Sequence, residues 1–189
     1  MINVLLFIAD GFEEIEALTV VDVLRRVNIN CDMCSLGGIY VKGAHHIEVK
    51  CDKVIDEIHR DEYDAIVLPG GMPGAKNLKE NEKVIDIVKD FYKNNKIVSA
   101  ICAAPIVLKE ADICSGNKMT SYPSFKEELK YCTYVEDIVV EDKNIITSRG
   151  PATALYFALK LVERLGKHQE ADNLREEMLL KFVEKSIKQ

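Results

Sequence analysis

The sequence has no excess of positive charge: 25 lysines and arginines stand against 31 aspartates and glutamates, for a formal net charge of −6. Such a chain presents no broad positive field to a phosphate backbone or an anionic lipid, so neither nucleic acid nor a membrane is an expected partner. A long apolar run is also missing. The opening stretch from Met1 to Ala9 is apolar, but no basic segment precedes it and Asp10 arrives too early for a signal peptide or a membrane span. It reads as the buried first strand of a cytoplasmic protein. Repeats, low-complexity tracts and long linkers are absent, which leaves one domain over residues 1–189. Cofactor fingerprints are absent too: Gly70-Gly71-Met72-Pro73-Gly74 carries neither the P-loop lysine nor the dinucleotide pattern, and no cofactor is expected.

Paired metal-ligand spacing is scarce. Of the six cysteines, only Cys31 and Cys34 form a CxxC, and no second pair follows to complete a zinc site. They fall on a predicted strand, Asn30 to Leu36, where residues three apart face opposite sides. With no export signal, the thiols are expected to stay reduced, most of them as small core residues. No metal site is expected.

What is present is an ordinary globular composition, 48% hydrophobic and 30% charged, enough apolar matter for a sizeable core. Apolar runs bounded by turn residues alternate with helical segments, the pattern of a parallel sheet covered on both faces. Strands are expected at Ile2 to Ala9, Asn30 to Leu36, Tyr63 to Leu68 and Ile97 to Ile101, with Tyr131 to Val140 and Asn144 to Ser148 as a late pair. A short antiparallel excursion is expected between Gly37 and Asp52, carrying His45 and His46 on opposite faces of a strand. Helices are expected at Glu14 to Val27, Glu82 to Asn95, Ala103 to Ala111, Pro151 to Leu165 and Ala171 to Ser186. The apolar side of the first is assigned to Ile15, Leu18, Val21, Val23 and Leu24.

The chemistry concentrates at Ser99-Ala100-Ile101-Cys102-Ala103-Ala104-Pro105, where an apolar strand gives way directly to a helix with a cysteine at the junction. That is the arrangement of a nucleophile elbow, which exposes a side chain at the carboxyl end of a sheet. Backbone N–H groups and the helix dipole there would favour thiolate. On local context alone, Cys102 is equally a small core residue. Pro69-Gly70-Gly71 is a second glycine-rich strand exit, and the amides of Gly71 and Ala103 could together form an oxyanion hole. Glu16 lies one turn into the first helix beside its apolar face, within reach of the sheet edge.

Taken together, Glu16, Leu68-Pro69-Gly70-Gly71, Ala100-Ile101-Cys102-Ala103-Ala104-Pro105 and Thr147-Ser148-Arg149-Gly150-Pro151 resemble the DJ-one, ThiJ and PfpI family, in its order and spacing across nearly the whole chain. Val21-Asp22-Val23-Leu24-Arg25-Arg26 is similar to its first helix. The nearest branch is that of DJ-one and ThiJ, linked in humans to parkinsonism and in bacteria to oxidative-stress protection. The resemblance implies a flavodoxin-like three-layer α/β sandwich with a mostly parallel central sheet, a homodimer, and a cysteine hydrogen-bonded to a protonated glutamate. Residue by residue, these are Cys102 and Glu16, with Gly71 and Ala103 as oxyanion donors and Gly70 beside them. It implies a cofactor-independent glyoxalase or protein deglycase acting on methylglyoxal-type aldehydes or glycated protein, or a redox sensor whose cysteine is oxidised to sulfinate.

Two departures narrow this. The position after Cys102 is Ala103, where protease-like branches have histidine, so a Cys-His protease is not expected. Tyr122 stands where the family has a histidine before proline, and His45 lies near the place of an anion-binding arginine, making both auxiliary candidates. His59 and His168 read as surface residues, and Arg26 and Arg149 as structural or dimer-contact residues. Glu16 is expected to have a raised pKa from burial, and Cys102 a lowered one.

Overall fold

The computed structural model describes residues 1–187; residues 188 and 189, at the end of the expected domain, lie outside the described residues. In chain order the strands are β1 (Asn3–Ile8), β2 (Asn30–Ser35), β3 (Tyr40–Lys42), β4 (Glu48–Lys50), β5 (Lys53–Val54), β6 (Ala65–Leu68), β7 (Ile97–Ile101), β8 (Lys118–Met119), β9 (Thr133–Tyr134), β10 (Val139–Asp142) and β11 (Ile145–Ser148). The helices are α1 (Glu14–Arg26), α2 (Gly74–Lys79), α3 (Glu82–Lys93), α4 (Pro105–Glu110), α5 (Ala154–Arg164), α6 (His168–Glu177) and α7 (Leu180–Ile187).

Seven strands form one sheet in the order β10-β11-β7-β6-β1-β2-β5, parallel throughout except for the β10–β11 edge. The two-residue period of a strand splits its apolar side chains between two cores. Val4, Leu6 and Ile8 join Val67 and Ile101 in the core under α1 and α5. Leu5 and Phe7 join Leu68, Val98 and Ala100 in the core under α3 and α4. This is the expected three-layer, flavodoxin-like α/β arrangement. Cys31 falls in the first core and Cys34 in the second, opposite sides of the sheet as their spacing predicts.

The register pairs Leu6 with Val67, Leu68 with Ala100 and Ile101 with Ser148. Their carboxyl ends therefore finish at one edge, and the loops after Ile8, Leu68, Ile101 and Ser148 meet there. In open α/β sheets that edge is where ligands bind.

Several expectations need correction. Helix α1 buries Ala17, Val20, Val21, Val23 and Leu24, while Ile15 is 56% exposed. Glu16 shares the buried stripe with Val20 and Val23 at spacings of four and three. The segment from Tyr131 to Val140 is not one strand: Thr133–Tyr134 pairs in parallel with β8, and only Val139 onward joins the main sheet. The expected helix from Ala171 to Ser186 is two helices, broken at Leu179, whose φ is +60°. The N–H groups of Met178 and Leu179 close α6 on the carbonyls of Leu174 and Glu176. No glycine, asparagine or proline marks that break, so periodicity runs straight through it. Helix α4 starts at Pro105, not Ala103, and His45 and His46 sit in the turn between β3 and β4 instead of on a strand.

Candidate active site

Cys102 follows the last residue of β7 with a φ of +64°, in the left-handed region that side-chain-bearing residues rarely occupy. The backbone is held on both sides of the strain. Its N–H donates to the Ser148 carbonyl at 2.9 Å, and its carbonyl accepts from the Tyr122 N–H at 2.8 Å. The thiol is partly exposed, whereas Ala103 and Ala104 beyond it are buried. This is the elbow that the strand-to-helix junction predicts.

Glu16 reaches the same point from α1. It is fully buried, and its Oε2 accepts the Gly70 N–H at 2.7 Å. The other oxygen, Oε1, is buried without a well-aligned partner, and the Cys102 thiol is the neighbouring side chain that couples to the carboxyl. Gly70 has to be glycine here. A Cβ on it would lie 2.6 Å from Glu16 Oε2 and 2.7 Å from Cys102 Cβ. Gly71, at φ +86°, would place a Cβ 2.3 Å from the Glu13 nitrogen. The loops after β1 and β6 clasp each other through Glu13 N–H to Gly70 carbonyl at 3.0 Å and Gly74 N–H to Gly11 carbonyl at 3.2 Å.

Burial lifts the Glu16 carboxyl to about 7, and the Glu13 charge adds to this against the bonds from Cys102 and Gly70. The raised value agrees with expectation. The thiol does not follow it. Burial first, and then the charge and hydrogen bond of an ionised Glu16, push Cys102 above its ordinary range, and the amides of Ala103 and Gly71 only partly offset them. The helix-dipole argument fails because α4 is six residues long and begins three residues beyond the sulfur. What survives is the pair of amides from Gly71 and Ala103 directed at the thiol. One proton thus serves two groups: with Glu16 neutral the repulsion vanishes, and the carboxyl can donate to the sulfur.

The auxiliary candidates separate. Tyr122 is tied to Cys102 through the backbone, and its half-exposed ring lies against Gly150, whose Cβ would be 3.3 Å from Tyr122 Cδ2. His45, 67% exposed, bonds Glu14 Oε2 through Nδ1 at 2.9 Å instead of the thiol, with Glu13 Oε1 at 3.7 Å. One ligand atom from each of Glu13, Glu14 and His45 lies within 4.8 Å of the others. Glu14 Oε1, however, already accepts the His45 and Ile47 N–H groups, so the trio anchors the β3–β4 turn. His59 and His168 are exposed, and Arg26 pairs with Asp22 on its own helix. Two contributors escape a reading of the sequence: the Ser148 carbonyl, and Glu13 as the charge acting on Glu16. Glu13 directly precedes α1, and its effect on Glu16 follows from the fold of that loop, for which the local sequence carries no signal.

Residues 2–164 match the family described as the DJ-1/PfpI family. The chain belongs to that family. It is 37% identical over 183 residues to Protein dj-1beta of Drosophila melanogaster, covering 95% of this chain and 98% of that protein. It is 35% identical over 182 residues to the Parkinson disease protein 7 homolog of Danio rerio, covering 94% and 96%. Among solved structures, oxidized Toxoplasma gondii DJ-1 superposes with a TM-score of 0.91 at 33% identity, covering 95% of this chain and 98% of that one.

Proposed function

We propose that this DJ-1/PfpI protein is a cofactor-independent glyoxalase or protein deglycase, acting on methylglyoxal-type α-oxoaldehydes or their protein adducts through Cys102. The supporting observation is the coupling of a buried carboxyl with a pKa of about 7 to a partly exposed thiol at a strained strand exit. A carboxyl poised there can give and take a proton at neutral pH.

The Cys102 sulfur adds to the aldehyde carbon while the amides of Gly71 and Ala103 hold the developing oxyanion. Glu16 then removes the proton from that carbon and returns it to the adjacent one, converting the hemithioacetal to a thioester. Water cleaves the thioester, and one aldehyde plus one water leave as one hydroxy acid. The same steps on a hemithioacetal or aminocarbinol of a glycated protein would register as deglycase activity. The protein acts in the cytoplasm as a homodimer, residues 1–189 forming one domain, without nucleic acid or membrane. The exposed Ile15 on α1 supports the dimer, and light scattering should give twice the 21.3 kDa chain mass. No helix of the described residues is long and apolar enough to cross a membrane.

A second reading, a peroxide sensor with little turnover, is favoured by the exposure of the same sulfur and by the oxidised state of the Toxoplasma relative. Cys102 would pass to sulfinate and accept a hydrogen bond from neutral Glu16. Lactate production from methylglyoxal by wild type and Cys102→Ser, set beside intact mass after mild peroxide, separates the two. Turnover that vanishes in Cys102→Ser supports the enzyme; no wild-type turnover, with a gain of two oxygens on Cys102, supports the sensor.

A further inference from the structure

Away from the site, two cysteines that the mechanism does not use converge. Asn117, at the head of β8, donates its N–H to the Cys114 carbonyl at 3.1 Å and accepts the Thr133 N–H on its own carbonyl at 2.9 Å. The parallel pairing of Lys118 with Thr133 sets Asn117 opposite Cys132, and the same Asn117 closes the turn that begins at Cys114, so one residue ties the Cys114 turn to the Cys132–Thr133 segment. Both side chains enter the same core, Cys114 buried within it and Cys132 packed against it, half-open to solvent. Cys132 lies close enough to raise the Cys114 pKa, after the dominant effect of burial. Cys34 and Cys51 are also neighbours by that measure, but they enter opposite cores. A cavity of about 290 Å³, lined by Cys114, Lys109, Asp112, Ser115 and Tyr131, brings solvent to the Cys114 side.

We infer that Cys114 and Cys132 form a reversible intrachain disulfide under hydroperoxide, separate from the chemistry of Cys102. The more exposed Cys132 reacts first: its sulfur takes one oxygen from hydrogen peroxide, giving a sulfenic acid and one water. The Cys114 sulfur then attacks the Cys132 sulfur, and the displaced hydroxyl leaves with the Cys114 proton as a second water. Two thiols are oxidised by two electrons and one peroxide is reduced. The closed loop contains Tyr122, whose N–H bonds the Cys102 carbonyl, so the bond staples the strand pair that carries this wall of the active site.

The experiment uses the full chain carrying Cys102→Ser, which removes the other reactive thiol and makes the result independent of the proposed enzymatic activity. After stoichiometric hydrogen peroxide, non-reducing peptide mapping should find Cys114 joined to Cys132, with the chain mass reduced by two hydrogens and restored by dithiothreitol. Thiol titration of the denatured chain should lose two groups. Adding Cys132→Ala, with folding checked by circular dichroism, should abolish both changes. Cys114 and Cys132 remaining free, oxidised separately, or joined between chains would overturn the inference.

Discussion

Cys31 lies within one strand of the mostly parallel sheet and Cys102 just past the end of another, and they occupy opposite chemical situations. Cys31 sits within β2, fully buried, and burial pushes its thiol up to about 12. Cys102 sits one residue past the end of β7, where the chain turns at positive φ, the sulfur is partly open and two amides point at it. Both thiols are raised by desolvation, so an apolar strand does not by itself make a nucleophile. The difference lies in what can relieve the cost: Cys31 has little but the Arg25 guanidinium, which is engaged with the Cys31 carbonyl at 2.7 Å and with Asp52, whereas Cys102 has amides and a carboxyl able to hold the proton.

The sharpest test of that contrast is alkylation. Brief iodoacetamide treatment followed by peptide mapping should label Cys102 at least about a hundredfold faster than Cys31, since a sealed thiol reacts only through local opening. Comparable labelling would erase the distinction.

Removing the proton partner comes next. Glu16→Gln should lower kcat on methylglyoxal by roughly a hundredfold to ten-thousandfold. Alkylation of Cys102 should not slow, because the amide still donates and the repelling charge is gone. The same variant tests linkage. Glu16 holds its proton up to about 7 in the folded chain, against 4.5 for a free carboxyl. Between these values the folded state binds a proton that the unfolded state has lost. The contribution to stability is therefore full below about pH 4.5 and lost as pH rises through 7, a span of about 3 kcal/mol. Urea unfolding of wild type should show this slope on top of other titrations, and Glu16→Gln should lack it.

A smaller effect is expected from Gly70→Ala. The new methyl meets Glu16 Oε2 and Cys102 Cβ, both well inside contact distance. Activity should fall about tenfold or more and stability by about 1–3 kcal/mol, read from kcat/KM and thermal unfolding. An unchanged variant would mean that the clasp is looser than its geometry.

Much of this contrast is legible in the amino-acid sequence. Ile97 to Cys102 announces a buried strand ending on a thiol, and Pro69-Gly70-Gly71 announces a second strand exit at the same edge. The sign of the Cys102 shift was not legible, because it depends on how deeply the sulfur and Glu16 are buried together. The resemblance singles out Tyr122, but its backbone bond to Cys102, from twenty positions on and across α4 and β8, has no local signal. Leu179 breaks a helix with a residue that usually sustains one, and the short α2 hides behind Pro73-Gly74.

The interlocked glycines also bear on how the site could be retargeted. Gly11, Gly70, Gly71 and Gly74 leave no room for even a methyl group, since each added carbon would meet another part of the clasp within 2.8 Å. The rim is different: the Tyr122 ring is half exposed, and Gly150 is the neighbour it lies against. An engineer who wants a bulkier or charged aldehyde accepted should therefore randomise the rim and leave the floor untouched, because floor positions have almost no viable alternatives to sample.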